Sequence, residues 1–536
     1  MSAYAYPLLI KHLLMSPLRN GSTQEIVYRD RVRYGYPTLR DRVGRLGSAL
    51  TKLGVRAGDT VAIMDWDSHR YLEAYFAIPM LGAVLQTVNV RLSNEQVTYT
   101  LNHAEADVIL CNDEFLPLLL EIRGELTSVK KFVRISDDGG DGTFVWDAEY
   151  ETMLAAGDPN HEFPDFDENT RATTFYTTGT TGLPKGVFFS HRQLVLHTLA
   201  EFALFVLRRD DVYMPITPMF HVHAWGYPYT ATVAGLKQVY PGRYAGDTLL
   251  GLIDKEAVTF SHCVPTLLQM ILSAPGSDKV DFSRWRVVIG GSALPKALCQ
   301  AALERGIDIV AGYGMSETCP VIAMSAVRPE LLDGPGSDVP YRVKAGLPPP
   351  LVDLRIVDTD MRDVPHDGVS VGEVVVRAPW LTQGYYKNPE ASEILWEGGY
   401  LHTSDIGSID RYGYLQITDR IKDVIKTGGE WVSSLQIEDI ISQHPGVEEV
   451  AVIGVDDPKW GERPMAIVAL RDRGLDADAI KAHVLAEAQR GVISKYAVPA
   501  HIVFVDRIDK TSVGKIDKKV LRQRHAVDAG AVSVSA

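Results

Sequence analysis

The most informative segment of this chain reads Tyr176-Thr177-Thr178-Gly179-Thr180-Thr181-Gly182-Leu183-Pro184-Lys185-Gly186. Its glycines let the backbone approach a ligand closely. Its threonine hydroxyls, its backbone amides and its lysine supply hydrogen-bond donors and positive charge, which suit an oxygen-rich anion such as a polyphosphate. The order does not fit the Walker pattern, GxxxxGK followed by Ser or Thr, so a P-loop hydrolase is disfavoured. The segment predicts a phosphate-binding loop, and a plain surface loop rich in Gly and Thr is the alternative.

Before this segment, helical and strand patterns alternate. Apolar residues recur at helical spacing from Thr38 to Gly54, and Gly54 stands where a C-terminal cap would fall. Short apolar runs then predict strands at Thr60–Met64, Val84–Val88, Val108–Cys111 and Phe132–Ile135. Helices and short apolar strands in alternation predict an α/β fold with largely parallel sheets.

The pattern changes after about residue 350. Three short strands separated by turn residues predict a small antiparallel barrel or sheet, at Leu354–Val357, Glu373–Arg377 and Leu415–Thr418. Beyond about residue 422, helices and strands mix again in a compact α+β pattern: helices near Leu435–Gln443 and Ala477–Arg490, strands at Val450–Val455, Met465–Leu470 and Ile502–Val505. The chain therefore has a large first part and a small second one.

Composition bounds the class of protein. With 536 residues, 46% hydrophobic and 23% charged, the chain predicts a globular protein of at least two domains. The net charge of −14 argues against nucleic-acid binding, which favours a basic surface. No apolar run is long enough to span a bilayer, and the N-terminus does not resemble a signal peptide. The four cysteines form no CxxC pair, so we expect a reducing, cytoplasmic location without a zinc site or disulfides.

The segment at Tyr176 resembles the signature of the adenylate-forming superfamily, which includes acyl-CoA synthetases, luciferases and peptide-synthetase adenylation domains. Further motifs follow in that superfamily's order, and the pattern is most similar to medium- and long-chain fatty acyl-CoA synthetases and their relatives that activate 3-methylmercaptopropionate. The resemblance implies ATP-dependent activation of a carboxylic acid through acyl-AMP, followed by transfer to CoA. ATP, Mg²⁺ and CoA are the implied cofactors and partners, and a homodimer is compatible with it.

The same resemblance implies a fold. A large α/β N-terminal domain, with mixed sheets, helices and a small antiparallel barrel, would occupy residues 1–421. A smaller, mobile α+β domain would occupy 422–536, with its hinge at Lys422. The active site would lie between the two domains.

Motif matches imply the ATP site. Tyr313-Gly314-Met315-Ser316-Glu317-Thr318 resembles the YGxTE motif, in which Glu317, together with Thr177, would hold Mg²⁺. Asp405 would accept hydrogen bonds from ribose hydroxyls, Arg420 would contact ribose or phosphate, and Lys515 would be the adenylation lysine. The other residues implied at this site are Thr178, Gly179, Thr180, Thr181, Lys185, Gly291, Ser292, Ala293, Gly312, Tyr313, Gly314, Met315 and Ser316.

Two further clusters concern CoA and the acid. Lys426-Thr427-Gly428-Gly429-Glu430-Trp431 resembles the segment that lines the CoA passage after the C-terminal domain rotates. In Phe220-His221-Val222-His223-Ala224-Trp225, His221 would open that passage and Trp225 would gate the acyl tunnel. Val264 and Ala311 are further candidates for the acyl pocket. If this cluster formed a strand, its two histidines would share a face and could bind a metal ion, but no third ligand is visible nearby.

Three alternatives stay open. The acid could be short or substituted, as in 3-methylmercaptopropionate. The protein could transfer the acyl group to an amine or oxidise it, which the intact Lys426 segment disfavours. It could also be a non-catalytic nucleotide-binding protein, but both Lys185 and Lys515 are present together with Glu317. The chain departs from the implied motifs at Ser404, where Gly is usual, and at Asp509, where Pro is usual.

Overall fold

The computed structural model describes residues 3–139, 144–177, 183–204, 207–334, 336–427, 430–471, 474–512 and 514–532. Its helices lie at Lys11–Arg19, Tyr36–Leu53, His69–Met80, Asn94–His103, Leu116–Ile122, Tyr150–Ala155, His191–Leu204, Tyr227–Ala234, Gly246–Glu256, Pro265–Leu272, Lys296–Glu304, Val339–Arg342, Pro389–Leu395, Ser434–Ser442, Ala477–Gln489 and Lys518–Val532. The strands form four sheets.

Two large, mostly parallel sheets make up the first part of the chain. In spatial order the seven-stranded sheet contains Ala148–Glu149, Lys131–Ile135, Ala106–Asn112, Thr60–Met64, Val84–Thr87, Arg171–Thr177 and Lys185–Ser190. The eight-stranded sheet contains Val321–Met324, Asp308–Gly314, Arg286–Ile289, Phe260–Cys263, Val212–Ile216, Lys237–Tyr240, Glu25–Tyr28 and Val32–Gly35. One continuous apolar core joins residues of both sheets, and a second covers the other face of the eight-stranded sheet.

The small antiparallel unit predicted after residue 350 is a four-stranded sheet. Its strands are, in order, Asp353–Val357, Gly372–Arg377, Leu401–Ile409 and Leu415–Arg420. Leu415 also bridges to Gly346, which attaches this sheet to the chain leaving the eight-stranded sheet.

The last part of the chain has a sheet and two apolar clusters of its own. Its strands run in the order Glu430–Val432, Ile425–Thr427, Gly461–Leu470 and Val447–Asp457, with His501–Val505 parallel to Gly461–Leu470. Within the described residues, every helix falls short of the length and apolarity that crossing a membrane requires.

Local sequence explains where the helix Tyr36–Leu53 begins and ends. The helix predicted from Thr38 begins at Tyr36, with Pro37 in its first turn, where a missing N–H does no harm. It ends as predicted before Gly54, whose φ of 105° places it in the left-handed region. The predicted strands at Val84–Val88 and Phe132–Ile135 are present to within one residue.

Candidate active site

The two ends of the Gly/Thr segment are held by a β-hairpin. Strand Arg171–Thr177 pairs antiparallel with Lys185–Ser190, and Thr177 stands opposite Lys185 in the register. Predictions for Thr178, Gly179, Thr180 and Thr181 fall outside the described residues. The hairpin nevertheless fixes the two flanks of the loop, so Lys185 and the half-buried Thr177 lie side by side at its base.

Glu317 lies in a short 3-10 turn directly after strand Asp308–Gly314 and is buried. Tyr385 donates its hydroxyl to Glu317 Oε1 at 2.7 Å, and the same ring lies 4.6 Å from Lys185 Nζ. Burial raises the pKa of Glu317, although this hydrogen bond and the nearby Lys185 and Arg420 oppose the rise. Glu317 is thus a buried carboxylate whose desolvation its neighbours only partly offset.

Tyr385 was not predicted from the sequence. It reaches the hairpin through a bridge to Val187, and the backbone N–H of its neighbour Tyr386 donates to Gly186 O at 2.8 Å. Because these contacts join residues about two hundred positions apart, no local spacing could have indicated them. An adjacent pair of tyrosines after a glycine is the one weak signal, at Gly384-Tyr385-Tyr386.

Three more predicted residues are joined by one hydrogen bond and one ion pair. Tyr313 donates its hydroxyl to Asp405 Oδ2 at 2.7 Å, and Arg420 Nε lies 3.2 Å from Asp405 Oδ1. The pairing of Leu401–Ile409 with Leu415–Arg420 places Asp405 directly opposite Arg420. Burial raises the pKa of Asp405, whereas Arg420 and Tyr313 oppose that rise. Ser404, where the resembling motif has Gly, has a φ of 58° and so takes the glycine-like conformation.

Lys515 belongs to the last part of the chain and extends to Gly291 of the first part. The space around this contact is called the cleft here. A methyl group built on Gly291 would lie 2.7 Å from Lys515 Cε, so this glycine, with a φ of 78°, leaves room for the lysine. The pKa of Lys515 is lowered to about 8, chiefly by burial and also by Arg420, against the opposing effects of Asp405 and Glu317. Lys515 therefore lies within electrostatic reach of the three other charged residues.

Glycines at the carboxyl ends of parallel strands form the wall beside Lys515, a usual place for ligands in α/β folds. Gly291, Ser292 and Ala293 follow strand Arg286–Ile289 and are exposed. A side chain at Gly312 would meet Val288 Cγ1 at 2.9 Å, so Gly312 permits close packing of neighbouring strands. Gly314, Met315 and Ser316 continue the wall and are half-buried.

The cluster from Phe220 to Trp225 is not a strand. Val222, His223, Ala224 and Trp225 have φ values of 47°, 55°, 48° and 59°, so they form a left-handed turn. Left-handed conformations cost about 1–2 kcal/mol per residue. The interpretation that His221 and His223 could share a strand face is therefore wrong. Among the described residues, no group of three or more His, Cys, Asp or Glu side chains is arranged to hold a metal ion.

The left-handed turn separates the environments of its two histidines. His223 is fully buried and lies edge-on to Phe175, at 5.3 Å between ring centroids. His221 is half-buried, and burial lowers its pKa to about 3 with a further contribution from the nearby Lys515. His221 is consequently a neutral imidazole that faces the lysine end of the cleft.

Trp225 closes the other side of the same cleft. Its ring atom Cη2 would lie 2.9 Å from a methyl group on Gly290, and its centroid is 5.0 Å from His262. Behind it, His262 stacks on Tyr227 at 4.8 Å and contacts the Tyr213 hydroxyl at 2.9 Å through Nε2. Trp225 is thus backed by a buried aromatic stack.

The two candidates for the acyl pocket differ in position. Val264 lies beside both Gly291 and Gly514. Its Cγ1 would be 3.3 Å from a methyl group built on Gly291, and its Cγ2 would be 3.4 Å from one built on Gly514. Ala311 is buried opposite Ile289 in the core of the eight-stranded sheet. Val264 therefore lines the cleft, whereas Ala311, which directly precedes Gly312 in its strand, lies in the core of the sheet.

The residues predicted to form the hinge and the CoA passage lie on the last part of the chain. Lys422 is exposed, and Lys426 stands opposite Trp431 in the hairpin of Ile425–Thr427 and Glu430–Val432. Glu462 Oε2 accepts the Lys426 N–H at 2.7 Å, and Glu430 accepts the Ser494 hydroxyl at 2.6 Å. Gly428 and Gly429 fall outside the described residues.

Two family models match the chain. The AMP-binding enzyme model matches residues 17–386, and the model of the AMP-binding enzyme C-terminal domain matches residues 436–515. The first match alone covers more than half of the chain and contains the hairpin, Glu317, the left-handed turn and Trp225. The second contains Lys515.

Individual relatives cover nearly the whole chain. A long-chain-fatty-acid–CoA ligase of Thermus thermophilus is 41% identical over 501 residues, 92% of this chain and 90% of that protein. A 3-methylmercaptopropionyl-CoA ligase of Ruegeria lacuscaerulensis is 39% identical, over 96% and 97% of the two chains. An anthranilate CoA ligase in complex with anthranoyl-AMP superposes with a TM-score of 0.88 at 26% identity, over 99% and 100% of the two chains. The chain belongs to the family of AMP-binding enzymes, the adenylate-forming superfamily.

Proposed function

We propose that this protein is an AMP-forming acyl-CoA ligase that activates a medium- or long-chain fatty acid. One observation carries the proposal: Lys515 of the last part of the chain reaches Gly291 of the first part, beside the joined residues Tyr313, Asp405 and Arg420. The resemblance to the fatty-acid–CoA ligase supports CoA as the acyl acceptor.

In the first step an oxygen of the substrate carboxylate attacks the α-phosphorus of ATP. A phosphorus–oxygen bond forms, the bond to the bridging oxygen of the β-phosphate breaks, and pyrophosphate leaves with the electron pair. Because two anions have to meet, the protein acts mainly by positioning and by neutralising charge. Lys185 beside the phosphate loop and Lys515 at the opposite wall supply that positive charge, and Asp405 orients the ribose through its remaining acceptor positions.

Mg²⁺ fits the residues at Glu317. Burial disfavours the charge of Glu317, and a cation bound beside it would offset that cost. Thr177, opposite Lys185 in the hairpin, would supply a hydroxyl oxygen. When bound there, Mg²⁺ would neutralise phosphate charge. The neighbouring Tyr385 hydroxyl keeps Glu317 Oε1 in a fixed orientation.

In the second step the sulfur of CoA attacks the acyl carbon of acyl-AMP. A carbon–sulfur bond forms, the carbon–oxygen bond to AMP breaks, and the thiol proton passes to solvent. His221 is a weak base because its pKa is about 3, so we assign it to lining the passage and not to removing the proton. The Lys426 hairpin would line the rest of the passage after the C-terminal domain rotates about Lys422.

The domain boundary at Lys422, with domains at 1–421 and 422–536, is part of the proposal. The separate sheet and apolar clusters of the last part support it. We also propose a cytoplasmic location, because the four cysteines are free thiols that are all buried.

A second candidate function is a CoA ligase for a short or substituted acid. The resemblance to the 3-methylmercaptopropionyl-CoA ligase favours it. Each methylene in an apolar pocket changes selectivity by about 1–3 kcal/mol, so small differences in packing decide chain length.

One screen separates these candidates. Acids from three to eighteen carbons, with aromatic and thioether acids included, are compared by pyrophosphate release with and without CoA. A maximum at eight or more carbons that depends on CoA for turnover supports the fatty-acid proposal. A maximum at short or thioether acids supports the second candidate, and turnover with an amine in place of CoA would overturn both.

A further inference from the structure

Thr511, Ser512, Gly514 and Lys515, here called the lysine loop, are tied to the first part of the chain by three hydrogen bonds. Asn89 Nδ2 donates to Ser512 Oγ at 2.9 Å, and Arg91 Nη1 donates to Ser512 O at 3.1 Å. On the other flank, Thr266 Oγ1 donates to Gly514 O at 3.1 Å. These contacts hold the residue just before Lys515 and another three positions before it.

Internal hydrogen bonds close the lysine loop on itself. The backbone N–H of Thr511 donates to Lys515 O at 2.7 Å, and that of Gly514 donates to Thr511 O at 2.9 Å. Thr511 Oγ1 accepts the Lys515 N–H at 3.3 Å. Because the loop is closed on itself, fixing Ser512 and Gly514 also fixes the backbone from which the Lys515 side chain enters the cleft.

The donors are themselves held in place. Asn89 is buried and uses its Oδ1 to accept the N–H of Arg91 at 3.1 Å. The Arg91 guanidinium lies 5.5 to 5.9 Å from the centroids of three rings, a cation–π arrangement, contributed by Trp66, Phe220 and Tyr244. Such surroundings restrict the exposed guanidinium to few orientations, so little entropy is lost when it meets Ser512.

The contacts that support Arg91 continue to the cleft. Buried Asp67 accepts the Tyr244 hydroxyl at 2.5 Å through Oδ2 and the Met219 N–H at 2.8 Å through Oδ1. Met219 and Phe220 directly precede His221, so the support of Arg91 is continuous with the segment that leads into the left-handed turn. The residues that position Arg91 beside the lysine loop therefore also support the segment that forms one wall of the cleft.

We propose that Asn89, Arg91 and Thr266 form a latch that holds the lysine loop in its adenylation position and releases it for the CoA step. This inference rests on the proposed function. All three are positioning residues, since they act through Lys515. The latch stabilises only the state in which Lys515 occupies the cleft, so weakening it slows acyl-AMP formation and leaves thioester formation from acyl-AMP intact.

The test measures the two half-reactions separately, at saturating acid, for Asn89→Ala and Thr266→Ala. Losing one such hydrogen bond should lower the turnover number for acyl-AMP formation about 3- to 10-fold. Thioester formation from supplied acyl-AMP should stay within about twofold of the parent. The unaltered enzyme performing both half-reactions tests the proposed function itself, so the two hypotheses fail in different ways.

Conservative variants and a matched control sharpen the result. Thr266→Ser keeps the hydroxyl. Asn89→Asp keeps the acceptor for the Arg91 N–H and replaces the amide donor by an oxygen to which the Ser512 hydroxyl can donate, so both variants should recover most of the lost turnover. Arg243→Ala is the control, because Arg243 also lies over the Trp66 ring, at 5.8 Å, and its described contacts do not include the lysine loop. It should leave the ratio of the half-reactions unchanged.

A readout besides activity is the rate at which trypsin cleaves the bond between Lys515 and Ile516, measured by mass spectrometry. The comparison uses variants whose unfolding temperatures equal that of the parent. Release of the lysine loop exposes this bond, so Asn89→Ala and Thr266→Ala should be cut faster than the parent and the Arg243 variant. Equal losses in both half-reactions, or unchanged kinetics and cleavage in both variants, would overturn the latch.

Discussion

The two walls of the cleft are held by different forces. On one wall, Asp405 has both oxygens engaged, by Tyr313 and Arg420, and Glu317 accepts from Tyr385. On the other wall, Trp225 ends a left-handed turn that is kept in place by packing against Gly290 and a buried aromatic stack. The first wall is specified by charge and hydrogen bonding, the second by backbone conformation and shape.

This difference assigns separate consequences to change. Under the proposed function, a substitution on the polar wall should alter the charge that the ATP phosphates meet, and so should act on the chemistry of adenylation. A substitution on the apolar wall alters volume, and so acts on which acid fits. The four predictions below test this division.

Lys515→Ala should have the largest effect. Removing one charge-stabilising group should slow acyl-AMP formation by about 10²–10³-fold. Thioester formation from supplied acyl-AMP should be spared, which rapid-quench measurement of each half-reaction can show. Equal loss in both half-reactions would remove Lys515 from its proposed role.

Glu317→Gln should chiefly change the response to metal. We expect the Mg²⁺ concentration for half-maximal acyl-AMP formation to rise about 100-fold, the upper end of what loss of a group supporting a metal site causes. Tyr385→Phe, which removes only the 2.7 Å hydrogen bond, should raise it less. An unchanged Mg²⁺ titration for Glu317→Gln would place the metal elsewhere.

Trp225→Ala should act on the acid and spare the nucleotide. Opening the space before His262 should change kcat/KM for longer acids relative to shorter ones by about 10-fold. The KM for ATP should change little, because the described contacts of the indole are with Gly290 and His262. An identical acid profile for variant and parent would contradict the gate.

The pH dependence should show the smallest effect. Because the pKa of Lys515 is lowered to about 8, its ammonium is mostly protonated below pH 8 and is lost as the pH rises through that value. The kcat/KM for acyl-AMP formation, which reports the free enzyme, should therefore fall about fivefold between pH 8 and pH 9. Lys515→Arg, whose guanidinium stays protonated, should flatten this fall even at lower overall activity. A fall of the same size in that variant would assign it to another group.

Much of the fold was predictable because its signals are local. Apolar spacing indicated the helix ending at Gly54, and short apolar runs indicated the parallel strands at Thr60–Met64 and Val84–Thr87. Periodicity depends only on neighbours a few residues apart, so it survives without tertiary information. The interpretation of His221 and His223 failed because a left-handed turn at non-glycine residues opposes local preference and is imposed by packing.

The candidate site divides in the same way. Lys185, Glu317, Asp405 and Lys515 stand in motifs that follow one another in the superfamily's order, whereas Tyr385 and the latch residues Asn89 and Arg91 stand in none. Their roles come from contacts with residues far away in sequence, Glu317 for Tyr385 and Ser512 for the other two. Such pairs have no fixed spacing, so sequence reasoning on one chain had no pattern to detect.

By itself, the sequence determined the fold class and the order of the motifs, since these depend on residue type and short-range order, and the resemblance that those motifs carry implied the chemistry of adenylation. Only the tertiary structure decided that Lys515 rests on Gly291, that Asp405 is shared by Tyr313 and Arg420, and that Trp225 is held on a left-handed turn. The physical reason is that charge and hydrogen-bonding capacity belong to each residue, whereas proximity, burial and strain arise only when distant parts of the chain pack together.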